Sequence, residues 1–241
     1  MEQSAENDFA VSFSMEEKAK LFDEIAKHYY NANFGLFSKS QIDLLMFSIY
    51  LDKLIDSNKP YDDYFIGKQL GILQQNVRQM KKKKQLIYPR NYKWYEVFLE
   101  YSKNAVFDNS ERIVISIPDP NVYLELQHAI EELGGYVEVQ LNSKLLKISP
   151  GYFIELLMQI YSIDKNLDSS EINDIKKSFV NELNKRYLKD EEFCKAFTER
   201  DFLTRIKKEA LPASMEILGN ILPSTHLISK TALLVASKLF N

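Results

Sequence analysis

Between Tyr61 and Tyr88 the chain reads YDDYFIGKQLGILQQNVRQMKKKKQLIY, a pattern that few backbones accommodate. Phe65, Ile66 and Leu70 recur at the spacing of one helical face, which predicts a short helix with those three residues turned inward. Gly71 then supplies the permissive backbone that a tight turn requires. Ile72 leads into a second helix, whose Val77 and Met80, three apart, point inward. Gly67 sits where the two helices cross too closely for a larger side chain. The constraint is joint: two helices, crossing closely, connected through Leu70-Gly71-Ile72.

The free face of the second helix carries Gln74, Gln75 and Asn76 in its first turn, then Arg78 and Gln79, and the helix runs into Lys81, Lys82, Lys83 and Lys84. Carboxamides pair bidentately with the adenine edge of the major groove and guanidinium with guanine. Ammonium groups contact phosphates, which gives affinity and register but no sequence information. The same residue types also decorate ordinary solvated helices. The spacing Ile66-Gly67-x-x-Leu70-Gly71-Ile72, followed by Val77 and Met80, resembles the helix-turn-helix of DNA-binding proteins over residues 61–88, with a glycine where that class more often has alanine. The resemblance implies duplex DNA as partner. Gln74, Gln75, Asn76, Arg78 and Gln79 would read bases, while Lys81, Lys82, Lys83 and Lys84, with Arg90 and Lys93 beyond them, would hold phosphates. One such unit reads only a short half-site, so a homodimer or other oligomer is expected. Units of this kind also serve as protein-interaction modules.

Charge sharpens this expectation. The net charge is −3, so no global positive field draws the protein to nucleic acid, and binding must come from a local patch. Residues 61–104 supply one, with Lys68, Arg78, Lys81 to Lys84, Arg90, Lys93 and Lys103 against only Asp62, Asp63, Glu96 and Glu100. At 241 residues, 45% hydrophobic and 27% charged, the chain is long enough for one or two domains and a substantial core. The single cysteine, Cys194, excludes an intramolecular disulfide framework, and His28, His128 and His226 lie too far apart for a zinc spacing. No metal or cofactor is expected. The N-terminus lacks the basic region and apolar run of a signal peptide, and no window reaches 18 uninterrupted apolar residues, so a cytoplasmic location is expected.

In chain order, residues 1–13 read as a flexible tail. A helix is predicted from Ser14, with Leu21, Phe22, Ile25, Ala26 and Tyr29 as its apolar stripe, ending near Gly35. A second starts near Ser38 and buries Ile42, Leu45, Met46, Ile49 and Leu54, a supporting helix for the pair that follows. After that pair, Leu86-Ile87-Tyr88 could form the first strand of a small wing. Trp94, Val97, Phe98, Tyr101 and Ala105 then predict a helix from about Tyr92 to Asn104. Beyond Phe107 the pattern changes: a strand over Glu111 to Ile117 with its isoleucines on one face, a helix after Pro118-Asp119-Pro120, and a hairpin of Tyr136 to Leu141 and Lys144 to Ile148. Helices are predicted from Gly151 to Ser162, after Ser169 with Phe179 and Leu183 inward, and over Asp190 to Phe197 and Glu199 to Ala210. The stretch from Met215 to Asn241 reads as an apolar terminal helix that closes the core, forms a dimer interface or lies in a membrane surface.

Catalytic signals are fragmentary. Glu125 and His128 have the Glu-x-x-His spacing of a di-iron helix without the second pair such a site needs. Asp119 and Glu138 faintly resemble the acidic signature of metal-dependent nucleases, but Gln140 stands where lysine would, and Asp119 is more simply a helix cap. No enzymatic activity is expected.

The sequence therefore predicts a mainly α, α+β protein. A helix-turn-helix domain spans residues 14–107, and residues 108–241 form an α+β and helical domain for oligomerisation or partner binding. Its expected function is non-enzymatic DNA binding, as a transcriptional regulator or a mobile-element or phage-related factor. The alternative is a protein-interaction adaptor or defence-system component whose C-terminal helix contacts a membrane or a partner.

Overall fold

A computed structural model describes residues 34–58, 61–133, 139–142, 144–187 and 206–222, apart from residue 207, together with a few isolated positions before residue 34. The chain is mainly helical, with a small antiparallel sheet. Its contacts divide it into two compact units between Tyr92 and Lys93. The tail 1–13, most of the helix predicted from Ser14 to Tyr29, the segment Asp190 to Phe197, most of Glu199 to Ala210 and the stretch after Leu222 lie outside the described residues.

Among the described residues, the first unit is built on three α-helices. Helix α1, Lys39–Asp56, starts at Ser38 with a reciprocal cap: the Ser38 hydroxyl accepts from the Gln41 amide and the Gln41 side chain accepts from the Ser38 amide. Its buried residues include Leu44, Phe47, Tyr50 and Leu51 as well as the expected Leu45 and Leu54, whereas Ile42, Met46 and Ile49 are only half-buried. Helix α2, Asp63–Leu70, is capped by Asp62, whose carboxylate accepts from the Phe65 amide at 2.6 Å. Helix α3, Gln74–Ile87, follows after a three-residue turn. Phe47, Tyr50, Leu51 and Leu54 of α1, Ile66 of α2 and Val77 of α3 form one core, with Phe65, Ile72 and Met80 at its margin. Burying Ile66 completely stabilises the unit by roughly 1.5–3 kcal/mol.

The segment Leu86-Ile87-Tyr88 does not begin a wing. Helix α3 continues through Ile87, and the Tyr88 amide donates to the Lys84 carbonyl at 2.6 Å, so the backbone closes as a helix end. Pro89 disfavours helical geometry at the residue before it and stops α3 there. Tyr88 is buried and meets Tyr92 edge to ring, with centroids 5.4 Å apart.

The second unit begins with helix α4, Trp94–Ser102, as its spacing predicted, but Tyr95, Phe98, Leu99 and Ser102 form its buried face and Trp94 is half-buried. Strand β1, Val106–Phe107, pairs with β2, Ile113–Ser116. Asp119 caps helix α5, Pro120–Leu133, by accepting from the Asn121 amide at 2.8 Å. Strands β3, Val139–Asn142, and β4, Leu145–Ile148, complete an antiparallel sheet in the order β1-β2-β4-β3. Ile113, Ile115, Leu146 and Ile148 are fully buried. Helix α6, Pro150–Lys165, is capped by Ser149, and α7, Ser169–Tyr187, buries Phe179 and Leu183 as predicted. Helix α8, Leu211–Ile221, packs on α6 and α7 and buries Leu211, Met215 and Leu218. Among the described residues, no helix is long and apolar enough to cross a membrane.

Candidate nucleic-acid interface

The geometry of the α2–α3 turn follows from its two glycines. Gly71 adopts φ 67°, the left-handed conformation that ends α2. The Ile72 amide returns to the Gly67 carbonyl at 2.9 Å, satisfying an acceptor at the helix end. A Cβ on Gly67 would lie 2.6 Å from the Ile72 carbonyl oxygen, while Val77 would be an ordinary neighbour at 3.6 Å. The turn itself, more than the crossing helix, excludes a side chain there. Leu70, expected inward, is 37% exposed. It lines an open groove of about 580 Å³ between α1, the turn and α3, together with Phe47, Ile72 and Met80.

The lysine run divides by helical phase. Met80, Lys81 and Lys84 lie three, four and seven residues beyond Val77 and share the inner face with it. The Lys84 ammonium reaches Asp52 of α1 at 2.8 Å and donates to the Tyr88 carbonyl at 3.2 Å, and the residue is only 5% exposed. Lys81 pairs with Asp63 of α2 at 2.7 Å and lies over the Tyr61 ring. The Arg78 Nε donates to the same carboxylate at 3.0 Å. The Lys81 ammonium, assisted by Arg78, holds the Asp63 carboxyl below its ordinary range. Lys81 and Lys84 therefore fasten α3 to its supporting helices. Lys82 and Lys83 are exposed and, among the described residues, have no ion-pair partner.

On the outer face the structure brings Gln75, Gln79 and Lys82 into one exposed row, flanked by Arg78, with Gln74 at the leading end. Asn76 is also exposed but lines the groove beside α1, where Gln79 and Lys83 join it. Arg90 is exposed after the end of α3. Lys93 belongs to the second unit, where its ammonium donates to Asp164 at 3.0 Å beside the Tyr95 hydroxyl, itself 2.5 Å from that carboxylate. One residue absent from the sequence reading is Leu73. It occupies the cap position of α3 without a side-chain cap and is 64% exposed. The detectable signal was a leucine where serine, threonine or a short acid normally caps a helix.

Elsewhere, burial raises the Glu125 carboxyl, opposed by nearby His128. Among the described residues no group of three His, Cys, Asp or Glu side chains is placed to hold a metal. Glu138 lies outside the described residues. No protein-family model matches the chain, and no curated protein matches it.

Proposed function

We propose that the protein is a non-enzymatic binder of duplex DNA, with α3 as the helix that enters the major groove. The observation that carries this reading is the outer face of α3. Amides and cations stand exposed there on a helix pinned from behind by Val77, Lys81 and Lys84. Gln74, Gln75 and Gln79 are the base-reading groups, with Asn76 and Arg78 at the margins. Lys82, Lys83 and Arg90 contact phosphates, whereas Lys81 and Lys84 act by orienting the helix. Transcriptional regulation in the cytoplasm as an oligomer fits such an interface, because two half-sites are read together.

The experiment is a salt titration of the intact chain on random-sequence duplex DNA, with sedimentation of free and bound protein. Binding that weakens steeply with salt, by a species larger than a monomer, is the expected result. No binding by folded protein at low salt contradicts the reading. A protein-interaction module then takes its place, favoured by the exposed Leu73 and Leu86 at the two ends of α3.

A further inference from the structure

We infer that the duplex recognised by α3 presents A·T pairs, and that Leu73 reads the C5-methyl group of a thymine. This inference rests on the DNA-binding reading above and names the class of sequence it would take.

The backbone at Leu73 is a properly formed helix start: its carbonyl accepts from the Asn76 amide at 2.8 Å and from the Val77 amide at 3.1 Å. Only the side chain is out of keeping. A cap of serine, threonine, aspartate or asparagine would contribute about 1 kcal/mol at such a position, and leucine forgoes it. The leucine does not recover that through the core, because it is 64% exposed. An apolar side chain held in water at the leading end of a docking helix is matched by the one apolar group on the major-groove floor, the thymine methyl.

The polar groups agree. Gln74 and Gln75 follow Leu73 directly, and Gln79 lies one turn beyond Gln75; all three are exposed. Each carboxamide offers the donor and acceptor that match adenine N7 and its 6-amino group. Helix α3 contains no carboxylate, the group suited to the cytosine amino group. Its one guanidinium, that of Arg78, stands at the margin of the exposed row, with Nε bound to Asp63 at 3.0 Å. The apolar contact and the amide pattern favour the same base pair.

The test compares three duplexes of equal length at fixed salt: one of A·T pairs only, the same duplex with every thymine replaced by uracil, and one of G·C pairs only. Uracil keeps the pairing and the minor groove and removes only the major-groove methyl. The intact protein should bind the A·T duplex about tenfold more tightly than the G·C duplex. Uracil substitution should weaken it about threefold to tenfold, and should have no effect on Leu73→Ala, whose folding is checked by its thermal transition. Equal binding to all three duplexes, with the salt dependence intact, overturns the inference and leaves DNA binding standing. An undiminished uracil effect in Leu73→Ala also overturns it. Absence of binding to every duplex removes both.

Discussion

Helices α3 and α6 have nearly the same length, 14 and 16 residues, and are held in opposite ways. Helix α6 is buried around most of its circumference, with Phe153, Ile154, Leu156, Leu157, Met158 and Ile160 almost wholly inaccessible. Helix α3 buries only Val77 and Lys84. Its position depends on a short list of directional contacts: Lys84 to Asp52, Lys81 and Arg78 to Asp63, and the turn built by Gly67 and Gly71. A helix fixed by apolar area has little surface to offer a ligand. One fixed by a few contacts along a single edge keeps the remainder of its surface for binding.

The largest effect expected from this contrast is in α6. Phe153→Ala should destabilise the second unit by about 3–5 kcal/mol, read by urea denaturation of the full chain. A loss below about 1 kcal/mol would show that α6 is not held by its apolar area. Gly67→Ala comes next. The added methyl carbon would lie 2.6 Å from the Ile72 carbonyl oxygen, and a loss of about 1–3 kcal/mol is expected. An unchanged transition would mean that the turn yields freely.

Tyr50 offers a smaller change of opposite sign. Its hydroxyl is buried without a hydrogen-bond partner among the described residues, and burial pushes its pKa up to about 12. Tyr50→Phe should therefore stabilise the first unit by about 1 kcal/mol. Destabilisation would reveal that the hydroxyl is satisfied.

The smallest effect concerns pH. Asp63 has a lowered pKa, so the stability it contributes is complete above the ordinary value of 3.8 and is lost as pH falls through the lowered folded value. The native protein should lose more thermal stability between pH 6 and pH 3 than Asp63→Asn does. Parallel losses would place the acid sensitivity elsewhere.

The two-helix unit was legible because its signals are local and agree with one another: the Ile66, Val77 and Met80 spacing, and Gly71 where the backbone turns left-handed. The isoleucine alternation of β2 and the Phe179 to Leu183 stripe of α7 were equally local. The division of the lysine run was harder to see, since four identical residues conceal helical phase and the carboxylates that sort them lie on other helices. Leu86 and Ile87 suggested a strand by residue type, but the continuing helix and Pro89 decided their backbone. On α4, Trp94 drew the expected core toward itself by size, while Tyr95 is the buried ring. The two-residue strand β1 has no pattern of its own, and its form depends on pairing with β2.

The central claim is that the two edges of α3 do different work, and the slope of DNA affinity against salt concentration tests it most directly. Lys82→Ala with Lys83→Ala should lower that slope by about 1.8, two phosphate contacts at about 0.9 each, and leave the thermal transition nearly unchanged. Lys84→Ala should lower the transition and leave the slope as it was. If Lys84→Ala reduces the slope as much as the outer pair does, or the outer pair does not change it, the division of α3 into an anchoring edge and a binding edge is contradicted.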